Sequence, residues 1–165
     1  MLAQHLSVRP LPGRPVPPDN WHLTVRFLGN VREVAGERLA AELDQADLGE
    51  AFTIALGGMG AFPRPARASV IWLSLDKGRD RLTELNALAE EAAQAAGLAA
   101  EDRPFAPHLT LSRIRPELDV RTDVASYNPV PLQWTVPGLV LFESHPARGG
   151  ARYEPVDEFP FGRGC

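Results

Sequence analysis

The sequence predicts an α+β fold made of two related lobes. Short segments of alternating apolar and polar residues, typical of strands, are interspersed with longer helical patterns. One motif also recurs, as His22-Leu23-Thr24-Val25 in the first half and His108-Leu109-Thr110-Leu111 in the second. A spacing this long is typical of an internal duplication and not of a solenoid repeat. Because no linker or low-complexity segment interrupts the chain, we predict one two-lobed domain over residues 1–165.

The first half begins with a short stretch of possible helix over residues 1–6. Five prolines between residues 10 and 18 then exclude regular helix and favour an extended loop. The first motif strand is predicted over 21–28 and a helix over 32–46, with Val34, Leu39 and Leu43 in its apolar stripe. A strand over 52–56 is expected to end at Gly57-Gly58. A glycine-rich turn at 57–60 and a loop over 60–65 then lead to a buried strand over 69–75.

The second half opens with the longest helical pattern, from Asp76 to Gly97, where the glycine is a plausible stop. Proline-containing chain leads into the second motif strand, predicted over 108–114. A short helix over 117–127 and three strands, over 132–136, 139–144 and 152–156, complete the prediction.

Composition limits the class of protein. The 165-residue chain has a formal net charge of −4, which argues against a general nucleic-acid coat but leaves room for a small basic cleft. Its single cysteine, Cys165, cannot form an internal disulfide or a cysteine-based metal site, which favours a reducing, cytoplasmic compartment. No apolar run approaches the ~20 residues of a spanning helix, and the first residues lack signal-peptide features.

The two His-x-Thr pairs are the candidate chemical groups. In a strand, residues two apart share a face, so His22 lies beside Thr24 and His108 beside Thr110. Histidine titrates near neutrality, so one copy can accept a proton while the other donates one. A threonine hydroxyl can bind a phosphate oxygen. The pattern therefore predicts a phosphate-handling acid/base site, provided that the pairs meet. The residues alone leave open that both histidines are merely exposed or satisfied core residues.

Other signatures of catalysis are absent from the sequence. It contains no His-Glu-x-x-His helix, EF-hand loop or cysteine cluster, so no metal or cofactor is expected. It also lacks the Gly-x-Ser-x-Gly, phosphate-loop and dinucleotide motifs. His5 and His145 lack the framing of the two motifs, so we expect structural positions for both.

Arginines and aromatic residues are the remaining candidates for substrate binding. Alternation puts Arg26 on the face of His22, where it either enters the cleft or reaches solvent. Arg113 falls on the face opposite Thr110 and reaches the site only if the strand ends or bulges. Phe62 is a candidate to stack on a base, with burial as the alternative. The tryptophans, which are expected in the core or the cleft wall, are Trp21, Trp72 and Trp134.

The motifs and their flanks resemble those of the two-histidine phosphoesterase superfamily. The first motif stands in Asn20-Trp21-His22-Leu23-Thr24-Val25-Arg26-Phe27-Leu28-Gly29, and the second in Pro107-His108-Leu109-Thr110-Leu111-Ser112-Arg113. Within that superfamily the chain is similar to the bacterial RNA 2′,3′-cyclic phosphodiesterases, historically called 2′-5′ RNA ligases. The stretches Phe62–Leu73 and Leu141–Glu154 agree as well, so the resemblance runs from about residue 15 to the end.

The resemblance implies a bilobal fold with two pseudo-symmetric antiparallel sheets, outer helices and a central metal-free cleft. It also implies hydrolysis of a terminal 2′,3′-cyclic phosphate to a 2′-phosphate. His22 would then be the proton donor and His108 the proton acceptor, with Thr24 and Thr110 on the phosphate oxygens. Family members begin with an apolar strand and a helix, of which only Leu2–Ser7 has a counterpart here. Either the native start lies upstream of Met1 or one lobe is built with fewer strands.

Two alternatives accompany this interpretation. The same cleft can serve as a module that binds a nucleotide or an RNA end without catalysis, although binding alone does not require two titratable groups. Within the enzyme class, 2′-5′ RNA ligation or hydrolysis of a small cyclic nucleotide would use the same residues. A monomer that acts on RNA 3′ ends, without contact with a membrane, is the expected form.

Overall fold

The chain forms two compact units, each assembled from three separate stretches of sequence. The computed structural model describes residues 2–8 and 10–162, so Cys165 lies outside the described residues. The first unit comprises residues 1–23, 53–78 and 107–134, and the second comprises residues 24–52, 79–106 and 135–165. The α+β class with two antiparallel sheets is confirmed.

Most helices and strands follow one another as the sequence predicts, but the strand Arg14–Pro15 was not predicted and the strand predicted over 21–28 is not formed. The helices are α1 (Leu2–Val8), α2 (Glu33–Gln45), α3 (Arg79–Ala95) and α4 (Arg121–Ala125). The strands are β1 (Arg14–Pro15), β2 (Phe52–Arg64), β3 (Arg67–Lys77), β4 (Leu109–Leu118), β5 (Gln133–Val136), β6 (Gly138–His145) and β7 (Arg152–Pro160). A 3-10 turn, Pro18–Asn20, follows β1.

A five-stranded sheet with the order β1-β4-β3-β2-β5 is the framework of the first unit. Its strands β3 and β4 bury one face, where the exposed fractions of Ile71, Leu73 and Ile114 are at most 1%. Ile71 belongs to a core cluster with Ala61, Ala68, Ile114 and Val120. Burial of one such aliphatic side chain stabilises the fold by about 1.5–3 kcal/mol. This core fixes β3 and β4, which carry the candidate site on their opposite face.

The second unit contains α2, α3 and the antiparallel pair β6-β7. Helix α2 buries Leu39 and Leu43, and α3 buries Leu82 and Leu85, as predicted. Val34, the third predicted member of the α2 stripe, is instead 57% exposed in the first turn of the helix. Gly97, with a φ of +90°, ends the turn after α3, because this left-handed conformation favours glycine. Here the sequence prediction of the helix stop is confirmed.

The predicted strand over 21–28 is wrong except at one residue. Leu23 forms an isolated antiparallel bridge with Leu109, and the residues around it are not assigned to a strand. On the partner side, Pro107 has no N–H with which to extend the ladder beyond Leu109. The carbonyl of Val25 instead accepts a hydrogen bond of 2.8 Å from the Asn86 side chain of α3. The segment is therefore held by side chains more than by sheet pairing.

The predicted turn at 57–60 and loop at 60–65 are also wrong, because β2 continues through both to Arg64. The pairing of β2 with β3 shifts register between Leu56 and Met59 and then resumes, and the turn lies at residues 65–66. A glycine inside a strand often marks a place where another group approaches the backbone closely. The ring of Trp72 makes such an approach at Gly60.

Candidate active site

His22 is held by a short, well-bonded segment of the first unit. Pro18 begins the 3-10 turn, whose end is closed by a hydrogen bond of 3.1 Å from Trp21 N to Pro18 O. The indole Nε1 of Trp21 donates to the carbonyl of Val16 at 2.9 Å. The next residue, His22, bonds through Nδ1 to the carbonyl oxygen of Asn20 at 2.7 Å. Because a carbonyl oxygen only accepts, Nδ1 carries the hydrogen in this contact.

The bridge between Leu23 and Leu109 brings the two motifs together within the first unit. In a regular antiparallel register the residue before Leu23 lies opposite the residue after Leu109, so a ladder continued from this bridge would put His22 opposite Thr110. His108 would then be the diagonal neighbour of His22 on the same face, and such neighbours are about 7–8 Å apart. The two leucines share the other face, and Leu109 is buried there. The bridge is compatible with the predicted meeting of the two histidines, which stays a prediction.

Two aromatic rings form a wall beside His108. The ring of Phe62 lies edge-on to the imidazole with centroids 5.1 Å apart, and the Trp72 ring lies 6.1 Å from it. Phe62 and Trp72 also pack on each other, with centroids 4.9 Å apart. A Cβ placed on Gly60 would lie 2.4 Å from the Trp72 ring, so only glycine at this position lets the indole lie against β2. This wall restricts the imidazole of His108 on one side.

Arg113 shares the face of the candidate site because β4 bulges. Trp72 pairs with Thr110 and Ile71 pairs with Ser112, so β4 has one extra residue, Leu111, between these pairs. Val70 then pairs with Arg113. Since Val70 and Trp72 are two residues apart in β3, Arg113 lies on the face of Thr110. Strict alternation had put it on the opposite face, and the bulge named as the exception is present.

Arg26 and Thr24 belong to the second unit. The guanidinium of Arg26 donates from Nε to Glu90, from Nη1 to the carbonyl of Phe27 and from Nη2 to the carbonyl of Ala99 at 2.7 Å. Its side chain is only 9% exposed, so neither position predicted for it is observed, and we do not retain it as a substrate ligand. Thr24 is exposed and directly follows the bridge residue Leu23.

The remaining histidines have other surroundings. His145 ends β6, and its Nε2 lies 3.4 Å from a carboxylate oxygen of Glu154 and 3.8 Å from one of Glu143. The backbone of His5 lies in α1. Within residues 2–8 and 10–162, no group of three or more His, Cys, Asp or Glu side chains is arranged to hold a metal ion.

Sequence reasoning missed two residues that shape the site, Asn20 and Gly60, and left the position of a third, Trp72, open. Asn20 contributes only its backbone carbonyl, for which residue type gives no signal. Gly60 was assigned to a turn because three glycines cluster over 57–60. Trp72 was expected in the core or in a cleft wall, and its buried indole Nε1 has no hydrogen-bond partner among the described residues. The regular alternation of the strand over 69–75 was the one available signal, since it puts Trp72 on the face away from the core.

The family model for LigT like Phosphoesterase matches the chain twice, over residues 2–72 and 73–153. Each match contains one His-x-Thr motif. The chain belongs to the LigT-like phosphoesterase family. This confirms the family that the two motifs resemble.

Relatives and solved structures of this family support the assignment. The chain is 34% identical to an RNA 2′,3′-cyclic phosphodiesterase of Escherichia coli, over 89% of this chain and 79% of that protein. It is 35% identical to one of Aeropyrum pernix, over 69% of this chain and 64% of the relative. The crystal structure of E. coli LigT complexed with 3′-AMP superimposes with a TM-score of 0.79 at 28% identity, covering 98% of this chain and 89% of that one.

Proposed function

We propose that this LigT-like phosphoesterase hydrolyses the terminal 2′,3′-cyclic phosphate of RNA to a 2′-phosphate. The observation that supports the proposal is the antiparallel bridge between Leu23 and Leu109, the residues that directly follow His22 and His108 in the two motifs. Relatives that carry the name RNA 2′,3′-cyclic phosphodiesterase support the same reaction.

In the proposed reaction His108 accepts a proton from water while the water oxygen forms a bond to phosphorus. The bond between phosphorus and the 3′ oxygen breaks, and His22 donates a proton from Nε2 to that oxygen. The products are a 3′-hydroxyl and a 2′-phosphate, so atoms and charge balance. A diagonal separation of about 7–8 Å leaves room for one phosphate between the two rings. General acid and base catalysis contributes about two to four powers of ten in rate.

Hydroxyl and guanidinium groups complete the proposed site. Thr110 and Thr24 would donate hydrogen bonds to the non-bridging oxygens of the cyclic phosphate. Arg113, on the face of Thr110, would neutralise part of the negative charge of the substrate. Phe62 would contact the substrate beside His108, where its ring is only half-buried.

We also propose that the reaction requires no metal ion and that the protein acts as a cytoplasmic monomer. The proton transfers described above are complete without a Lewis acid. The low cysteine content of the sequence supports a reducing compartment. No helix in the described part of the chain is long and apolar enough to cross a membrane.

The test is an oligoribonucleotide ending in a 2′,3′-cyclic phosphate, incubated with the protein in EDTA. The expected product carries a 2′-phosphate, identified by ³¹P NMR. A 3′-phosphate product would show that the 2′ oxygen, and not the 3′ oxygen, is the leaving group. Loss of activity in EDTA, restored by a divalent cation, would contradict metal independence. Tight RNA binding without turnover would favour the binding module.

A further inference from the structure

Two arginines lie side by side on adjacent strands, β1 and β4, at the edge of the first unit's sheet. The register of β1 with β4 pairs Arg14 with Arg113 and Pro15 with Ser112. Residues directly opposite in an antiparallel pair project to the same face. Arg14 therefore lies on the face that carries Arg113 and Thr110. Both arginines are exposed.

The backbone that presents Arg14 is rigidly fitted to β4. Gly13 has a φ of +88°, and a Cβ there would lie 2.5 Å from the carbonyl oxygen of Arg113. Only glycine allows this approach. The hydroxyl of Ser112 donates to the carbonyl of Pro12 at 2.6 Å, and Val16 N donates to Leu111 O at 2.8 Å. Arg14 is thus held from both sides before any ligand binds.

The charges of this pair are not balanced within the fold. Like charges directly opposite in a sheet repel and destabilise the pair. No carboxylate of residues 2–8 or 10–162 forms an ion pair with Arg14 or Arg113, although Arg67 and Arg121 in the same unit each have one. An anion between the two guanidinium groups would relieve the repulsion, and their planar forks match phosphate oxygens.

We propose that Arg14, with Arg113, binds the internucleotide phosphate next to the cyclic end, so that the enzyme selects RNA over cyclic mononucleotides. The β3 partners of Thr110 and Arg113 are Trp72 and Val70, which are two residues apart. Two residues along a strand span about 7 Å, so the arginine pair lies about that far from Thr110. A mononucleotide has no phosphate for this subsite. The inference rests on the proposed function, because it names the substrate class of the same site.

The experiment compares kcat/KM for adenosine 2′,3′-cyclic phosphate with that for a five-nucleotide RNA ending in a 2′,3′-cyclic phosphate. In Arg14→Gln, the preference for RNA over the mononucleotide is expected to fall about tenfold, mainly through KM. Arg38→Gln is the matched control, since Arg38 is an exposed arginine of α2 in the second unit. It removes the same charge and should keep the wild-type preference. Arg14→Lys should restore part of the preference by retaining the charge.

A binding measurement separates this inference from the proposed function. Fluorescence anisotropy with the same RNA ending in a 2′-phosphate is recorded at several salt concentrations. Loss of one phosphate contact should lower the slope of log K against log salt by about 0.7 in Arg14→Gln. If the wild type turns over neither substrate, the proposed function fails, and the binding slope still decides the subsite. Equal slopes and equal preferences in wild type and Arg14→Gln would overturn the inference.

Discussion

Gly60→Ala tests whether the aromatic wall beside His108 controls activity. The new methyl group would lie 2.4 Å from Cη2 and Cζ2 of Trp72, well inside van der Waals contact. Overpacking of this kind costs about 1–3 kcal/mol of the free energy of unfolding. For a protein of this length that corresponds to a fall in Tm of about 2–12 °C. Because Trp72 contacts His108, displacement of the indole should also lower kcat by about tenfold or more.

The matched control is Gly58→Ala, two residues away in the same strand. A Cβ on Gly58 would meet nothing within 4 Å, and neither glycine has a positive φ. Gly58→Ala should therefore be neutral or stabilising by up to about 1 kcal/mol, through the reduced entropy of the unfolded chain. Differential scanning fluorimetry and steady-state kinetics on the cyclic-phosphate RNA are measured for both variants. Adding Trp72→Phe to Gly60→Ala should recover part of the lost Tm. Identical Tm and kcat in the two alanine variants would refute the steric argument.

Three further predictions concern charged and titrating groups. His22→Ala and His108→Ala should each lower kcat/KM for the cyclic-phosphate RNA by about 10²–10⁴ without a matching loss of Tm. The pH–rate profile of the wild type should be bell-shaped, and each single alanine variant should lose one limb. Hydrogen bonds from Gln94 and Arg26 lower the pKa of Glu90 from its ordinary 4.5. The ionised carboxylate of Glu90 therefore stabilises the fold above pH 4.5, and this stabilisation is lost as the pH falls through the lowered pKa. Glu90→Gln should therefore lower Tm at pH 7, and the difference from wild type should narrow below pH 4.5.

These predictions have separate controls. His145→Ala should keep full activity, since His145 lies at the end of β6 beside two glutamates. A profile that stays flat from acid to alkaline pH would contradict the acid/base pair. Glu91→Gln, at the neighbouring exposed position of α3, should leave Tm unchanged at pH 7. A Tm difference for Glu90→Gln that stays constant over the whole acid range in which the protein remains folded would show that the carboxylate charge is not what stabilises the segment.

Much of the fold follows from periodicity, and the exceptions have local physical causes. The helices over 33–45 and 79–95 are long amphipathic patterns with clear ends, so their positions were predictable. The strand predicted at 21–28 satisfied the same rules. Its pairing stops at Leu109 because Pro107 on the partner side has no N–H, and residues 21–28 do not reveal this. The glycines at 57–60 indicated a turn because glycine is common in turns. Gly60 instead makes room for the ring of Trp72, which lies on the neighbouring strand β3. Local sequence contains no information about such partners.

The candidate site was predictable in its two motifs and unpredictable in its arginines. Arg26 follows the first motif with the alternation expected of a site residue. Its guanidinium instead donates hydrogen bonds to Glu90 and to two backbone carbonyls of the second unit. Tertiary partners, and not the strand period, decide where a long side chain ends. For Arg113 the prediction was conditional on a bulge, and the extra residue in β4 meets that condition by reversing its face.

The bulge at Leu111 explains why the second motif can serve two purposes at once. A regular strand would put Thr110 and Ser112 on the same face and send Arg113 to the core side. Ser112 is instead fully buried and bonded to the carbonyl of Pro12, which fixes the chain that carries Arg14. The extra residue thus lets one short strand secure the incoming loop on its core face while it presents Thr110 and Arg113 together on the other. Deleting Leu111 should therefore remove Arg113 from the site face and, by moving Ser112, loosen Arg14 as well. Loss of activity on RNA without loss of sheet pairing, measured by hydrogen exchange of β4 amides, would be the signature of that coupling.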